Sequence, residues 1–350
     1  MDLTIDKKFW SNKNIVITGH TGFKGSWLAV FLNELGANLF GISREKKEGI
    51  YAIANISTLF KHEDFLDLSE DLNEDNLKNL IEFDPDIVFH FAAQSLVYVG
   101  YSNPLDTLKS NIIGSYNLFN NCLKLPKIKS VVTSTTDKVY KFSNSDNIES
   151  SQLGGKDFYS SSKVGVENVI TAFLNSYDNF NISTVRSGNV LGGGDRGEKR
   201  LITDLVNAII SEEKFFMRKP NSIRPWQSVF DSLYGYLLVA QENYKEDKSE
   251  IYNLNSKPNN QYTSQYIAEK FVSLWNSKIE IEIEDKEHFK EVDILKINST
   301  KANDTLGWKP QVKIDDLIQQ IVDWELYYLK NNDTNFSTQQ AKQYLALVSK

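Results

Sequence analysis

An α/β fold on a parallel, doubly wound sheet is predicted for this chain by three observations. A β-branched run near the start passes through a glycine-rich turn directly into a helical pattern. Further apolar strand-like runs recur along the first half with helix-like stretches between them. The 350 residues are 41% hydrophobic and 24% charged, an ordinary globular composition large enough for one sheet domain and a smaller lobe.

The first element is Asn14 to Thr18 (NIVIT), followed by Gly19, Gly22 and Gly25 at three-residue spacing and then by SWLAVFLNELG. In a strand-turn-helix setting the first glycine allows the tight turn, the second lets backbone approach a pyrophosphate, and the third lets helix and strand pack closely. The helix N-terminus then offers unpaired N–H groups to the phosphates. The loop Gly19, Thr21, Gly22, Phe23, Lys24, Gly25 is therefore a candidate dinucleotide cradle, giving a Rossmann-like sheet. Asn38 to Ser43 reads as the second strand, FKHEDFL leads to the end of a third, Asp86 to Ala92 is a later buried strand, and Ser130 to Ser134 another.

At the end of the second strand an acid that holds the adenosine ribose is usual, and this chain has Ser43 and Arg44. Arg44 is either a receptor for a 2′-phosphate or one solvated charge of the REKKE run. Asp67 and Leu68, after the third strand, are candidates to cap the adenine, with a plain surface aspartate as the alternative. Ala92, Ala93 and Gln94 end the Asp86 strand and complete the candidate cofactor site. NAD is the expected cofactor, with NADP left open.

Tyr159 and Lys163 stand four residues apart, hence on one face of a helix. An ammonium beside a phenol favours phenolate and lowers a pKa that starts near ~10, producing a base for an alcohol proton. A Tyr and a Lys at that spacing also occur on many solvated helices. What raises the pair above that background is the strand-end segment Thr135-Thr136-Asp137-Lys138.

Together GHTGFKG, YSSSK and the strand-end TST resemble the extended short-chain dehydrogenase/reductase superfamily. TTDKVY, VRSGNVLGGGD, SIRPWQ and KANDTLGWKP narrow the resemblance to the nucleotide-sugar 4,6-dehydratases, most narrowly those acting on CDP-glucose, over nearly the whole chain. Tyr98, Ser228 and Asn253 to Ser256 depart from that pattern. Lys138 stands where dehydratases of dTDP-glucose or GDP-mannose carry glutamate. The resemblance implies oxidation at carbon 4 of CDP-glucose with Tyr159 as base, loss of water across carbons 5 and 6, and hydride return to carbon 6. It assigns Asp137 as the acid for the leaving hydroxyl and Lys138 a part near carbon 5 or at the enolate. Thr135 or Thr136 would bond the 4-hydroxyl. It further implies a homodimer through the YSSSK helix and a place in deoxysugar biosynthesis of the kind that supplies lipopolysaccharide O-antigen.

The substrate diphosphate needs cations, and Arg200 and Arg224 are candidates because a guanidinium grips phosphate bidentately; Asn189 is their expected partner, and each arginine could instead be a structural ion pair. The division expected is 1–189 with about 234–256 for the dinucleotide domain, 190–233 and 257–330 for a nucleotide-sugar lobe, and 331–350 as a polar tail whose short QYLALV could dock. A net charge of −7 argues against nucleic acid or an anionic membrane as main partner. A single cysteine, Cys122, in an apolar pattern, and the lack of a long apolar run suit a reducing cytoplasm. Four scattered histidines indicate no metal site. A 4-epimerase would keep Tyr159 and Lys163 without needing Asp137-Lys138, and a silent dinucleotide-binding regulator would be expected to lose the tyrosine or the lysine.

Overall fold

The computed structural model describes residues 3–141, 146–178, 180–223, 225–255, 262–284 and 296–349. Its main sheet has seven strands: β1 (Asn14–Thr18), β2 (Asn38–Ser43), β3 (His62–Phe65), β4 (Ile87–His90), β5 (Ser130–Ser134), β6 (Ile182–Ser187) and β7 (Ile251–Leu254). All pair in parallel, in the order β7-β6-β5-β4-β1-β2-β3. The order reverses between β1 and β4. In open α/β sheets ligands bind beyond the carboxyl ends at such a reversal.

Helices cover both faces, so the inner strands are apolar on both. Ile15 and Ile17 of β1 join Leu39, Phe89, Val132 and Val185 in one core. Val16 joins Phe40, Val88, Val131 and Ile182 in the other, the period of two expected of a strand. β4 is shorter than the expected Asp86 to Ala92. Phe91 and Ala92 still donate to Thr18 O and Oγ1 at 3.0 and 3.2 Å, so they leave the ladder while staying tied to β1.

Six helices matter for the site: α1 (Phe23–Glu34), α2 (Phe158–Ser176), α3 (Leu201–Ile210), α4 (Val229–Glu246), α5 (Ile314–Tyr328) and α6 (Asn335–Val348). α2 starts with a capping box between Asp157 and Ser160, which fixes where Tyr159 stands in its first turn. A separate apolar cluster gathers Leu205 and Val206 of α3 with Trp226, Ile267, Phe271 and Ile318. Cys122 is buried as expected, and burial pushes its thiol up to about 12.

The segment expected as a polar tail is helix α6. Ala341, Tyr344, Leu345 and Val348 join the same core as Trp27 and Phe31 of α1. Their spacing is one helical stripe, and three of them belong to the QYLALV run expected to dock. Tyr344 Oη donates to Asp231 Oδ1 at 2.7 Å, and Trp324 Nε1 to Ser337 Oγ at 2.9 Å.

Candidate active site

A cleft of about 1310 Å³ runs along the carboxyl edge of the sheet. Typical single-ligand pockets hold ~300–1,000 Å³, so this one has room for more than one small molecule.

At one end lies the glycine loop. Gly19 takes φ +72°, and a Cβ there would come within 2.7 Å of Ala92 N. A Cβ on Gly25 would sit 2.8 Å from His20 Cα, so loop and helix meet only because both positions are glycine. The first turn of α1 has no side-chain cap, which leaves helix-end N–H groups for an anion. Gly19, Thr21, Gly22, Phe23, Lys24, Gly25, Ser43, Arg44, Asp67, Leu68, Ala92, Ala93 and Gln94 all line this end.

The loop is braced by a residue the sequence reading passed over. His20 is fully buried, its Nδ1 3.0 Å from Ser43 Oγ and its Nε2 2.9 Å from Glu63 Oε1. Burial lowers its pKa against the pull of Glu63. Thr21 also bonds Ser43 Oγ through its N–H at 3.3 Å, and Gln94 is pinned by Asn111 Oδ1 at 2.8 Å. Arg44 Nη1 lies 3.2 Å from Asp106 Oδ1 and 3.7 Å from Asp67 Oδ2.

Tyr159, Lys163, Thr136 and Lys138 line the middle of the cleft. Burial pushes the Tyr159 phenol up to about 12, opposed by a bond with Thr136 and reinforced by the charge of Asp137. This reverses the expected lowering. The Lys163 ammonium is turned to Ser134 O at 3.0 Å, and burial brings it down to about 8 against the pull of Glu167. Thr136 Oγ1 donates to Asp137 Oδ1 at 3.0 Å. A hydroxyl has one proton, so Thr136 can donate to Asp137 or to a phenolate at Tyr159 but not to both.

Asp137 is buried and is not part of the cleft lining; the Thr136 hydroxyl links it to Tyr159. Thr135 turns away from the problem of the 4-hydroxyl: its Oγ1 donates to Glu167 Oε1 at 2.8 Å, inside a buried network where Glu167 pairs with Arg186 and Arg186 Nη1 reaches Tyr140 Oη at 2.7 Å. Of the two threonines, Thr136 is the one joined to Tyr159. Lys24 was expected only as part of the cradle. Its Nζ donates to Ser187 Oγ at 2.8 Å, and burial, with the nearby Lys163 charge, brings it down to about 7.

The far end carries Asn189, Arg196, Arg200 and Arg218. Arg200 Nη1 is 2.8 and 2.7 Å from the two oxygens of Asp195, with its side chain 37% exposed. Arg196 pairs with buried Glu325, which also accepts from Gly194 N at 2.9 Å. Trp27 Nε1 donates to Gly193 O at 3.0 Å, so the GGGD turn is held from α1 as well as from α5. Arg224 lies outside the described residues. Trp226 is buried in the lobe cluster, its Nε1 donating to Tyr262 O at 2.9 Å. Among the described residues no helix is long and apolar enough to cross a membrane.

Known proteins share the build of this chain. It is 36% identical over 346 residues to the CDP-glucose 4,6-dehydratase of Salmonella typhimurium, covering 94% of this chain and 95% of the relative. It is 26% identical over 331 residues to the dTDP-D-glucose 4,6-dehydratase of Mus musculus, covering 91% and 89%. Among solved structures, the NAD complex of dTDP-glucose 4,6-dehydratase from Bacillus anthracis superimposes with TM-score 0.74 at 21% identity, covering 90% of this chain and 97% of that one. A UDP-glucose-4-epimerase from Stenotrophomonas maltophila does so with TM-score 0.78 at 19% identity, covering 91% and 99%. These two share the fold. Residues 16–321 match the GDP-mannose 4,6 dehydratase family model, and with the Salmonella relative this establishes that the chain belongs to the nucleotide-sugar 4,6-dehydratases of the extended short-chain dehydrogenase/reductase superfamily.

Proposed function

We propose that the chain is an NAD-dependent lyase that converts CDP-glucose to CDP-4-keto-6-deoxyglucose. The observation that carries the reading is the joining of Tyr159, Thr136 and Asp137 through one hydroxyl, beside Lys163 and Lys138, in a chain 36% identical to a CDP-glucose dehydratase. The glycine cradle and the uncapped turn of α1 fit a dinucleotide, with Gly19 to Gly25 against its phosphates and Lys163 and Gln94 toward its other half. When bound, NAD supplies the acceptor and donor of hydride.

The chain's own groups do the proton work. Tyr159 takes the proton of the carbon 4 hydroxyl. While Tyr159 is the phenolate, Thr136 turns its single proton to it and away from Asp137; the released Asp137 carboxyl, protonated from solvent, gives that proton to the hydroxyl leaving carbon 6 as Lys138 takes the proton of carbon 5, so that water is lost. Lys163 and Lys138 put positive charge beside a centre that becomes an enolate. Asn189, Arg200 and Arg224 hold the diphosphate, Arg200 exchanging Asp195 for phosphate. The domain division, a cytoplasmic setting and a homodimer belong to the same reading. The homodimer is supported by Tyr101, Leu105, Ile113, Tyr116, Phe158 and Leu174, exposed apolar side chains on helical segments 97–122 and 158–176.

Incubation with CDP-glucose, dTDP-glucose, UDP-glucose and GDP-mannose, scored by the alkaline absorbance of a 4-keto-6-deoxy product, tests the substrate. Fastest turnover is expected with CDP-glucose. Faster turnover of GDP-mannose or dTDP-glucose would reject that assignment.

A further inference from the structure

The short segment Thr136-Asp137-Lys138 leaves the end of β5 with little backbone support of its own. Its local bonds are long, Lys138 N to Thr136 Oγ1 and Val139 N to Thr136 O both at 3.3 Å, against the ~2.9–3.0 Å usual for N–H to O. The residues that flank it are held much more firmly, and both are held by the same buried ion pair. Before the segment, Thr135 Oγ1 donates to Glu167 Oε1 at 2.8 Å; after it, Tyr140 Oη accepts from Arg186 Nη1 at 2.7 Å.

Glu167 stands on α2 and Arg186 on β6. Arg186 Nε lies 2.9 and 3.2 Å from the two oxygens of Glu167, and its Nη2 donates to Oε2 as well. The two residues are 5% and 2% exposed. The guanidinium also donates to Glu149 O at 2.9 Å, its Cζ lies 4.8 Å from the Tyr140 ring centroid, and Tyr140 Oη donates in turn to Asn253 Oδ1 on β7 at 2.7 Å. A buried ion pair is a poor source of stability, because desolvating both charges offsets their attraction. What a forked guanidinium on a carboxylate offers is fixed geometry. Neither Glu167 nor Arg186 lines the cleft, so the pair can act on the reaction only through what it holds.

We infer that the Glu167–Arg186 pair is a positioning unit for the reaction: it grips Thr136-Asp137-Lys138 from both sides, through Thr135 and Tyr140, and so keeps the Thr136 hydroxyl within reach of both Tyr159 and Asp137. The inference rests on the acid and base roles proposed above and adds the residues that keep those groups in register. A shift of the segment would misalign the proton-transfer groups and leave the nucleotide and diphosphate contacts as they are.

Steady-state kinetics with CDP-glucose, with the melting temperature measured on the same preparations, tests this. Thr135→Val and Tyr140→Phe should each lower kcat about tenfold and leave KM within about twofold, because misplaced acid and base groups cost the transition state and not ground-state binding. Thr135→Ser, which keeps the hydroxyl, should recover kcat to within about threefold of the unaltered enzyme. Glu167→Leu and Arg186→Met together remove both charges and leave neither unpaired; in that background, adding Thr135→Val should change kcat by less than about twofold, since its anchor is already gone. Unchanged kcat in Thr135→Val and Tyr140→Phe, a loss confined to KM or to the melting temperature, no recovery in Thr135→Ser, or an undiminished effect of Thr135→Val in the pair-free background overturns the inference. Should that background fail to fold, the single variants and the serine recovery decide it. Absence of turnover of any nucleotide sugar by the unaltered protein would reject the dehydratase reading itself.

Discussion

The middle of the cleft and its far end hold charged groups under opposite solvation. Around Tyr159, Lys163, Glu167 and Arg186 the charged and phenolic groups are buried, and Lys24 beside them is half-buried. Around Arg200 and Arg218 the guanidinium side chains are each 37% exposed. Burial moves the pKa values in the middle, up for Tyr159 and down for Lys163 and Lys24. At the rim Arg200 pairs with Asp195 and Arg218 with Asp204 at 2.7 and 3.2 Å. Lys163 and Lys24 are suited to moving protons, because burial brings their neutral and charged forms close in energy, whereas at Tyr159 burial favours the neutral phenol. The rim is suited to holding an anion.

The sharpest test of that contrast is at Tyr159. Tyr159→Phe should lower turnover by at least ~10²-fold, the scale of a general base, while nucleotide-sugar binding stays nearly unchanged by titration. Near-normal turnover would mean that another group takes the proton. Its partner variant, Asp137→Asn, should spare the first hydride transfer and stall elimination, so that reduced dinucleotide and 4-keto sugar accumulate on the enzyme. In the unaltered enzyme deuterium at carbon 4 should reappear at carbon 6. A label that stays at carbon 4 would favour an epimerase.

A second test uses stability and not activity. Lys24 falls from 10.5 to about 7 on folding. Below about pH 7 both states hold its proton, and the burial penalty is fully present. Between about 7 and 10.5 the folded chain has shed that proton and the unfolded chain has not, so stability rises with pH through this window. Lys24→Met should therefore be more stable than wild type by ~2 kcal/mol near pH 6.5, well under the ceiling set by ~1.4 kcal/mol per pKa unit. The gap should shrink steadily toward pH 10. A gap independent of pH, by denaturant titration at several pH values, would show that Lys24 is charged at no such penalty.

The smallest effect is expected at the rim. Arg200→Ala should raise KM for the nucleotide sugar about tenfold and leave kcat within about twofold, since it removes binding shared by ground and transition states. An equal loss in kcat would place Arg200 with the buried end.

The strands β1, β2 and β5 were legible residue for residue, because inner strands of a covered sheet are continuous apolar runs bounded by turn residues. The cleft-lining set from Gly19 to Gln94 was legible too, since a phosphate cradle needs glycines at fixed spacing. The docking of QYLALV was legible as an apolar run, whereas the helix that carries it from Asn335 was not, because its first half is polar.

By itself the sequence determined the strand-turn-helix start, the shared face of Tyr159 and Lys163, and a family membership carried by motifs along nearly the whole chain; these are local or chemical properties that neighbouring residues decide. Only the tertiary structure decided that Thr135 serves Glu167 while Thr136 joins Tyr159 to Asp137, that Lys163 faces Ser134, that Lys24 reaches Ser187, and that Asp106 answers Arg44 from 62 residues away. Those outcomes depend on which side chains the sheet order brings within hydrogen-bond reach and on how far each is taken from water, and neither quantity is written in any short stretch of the chain.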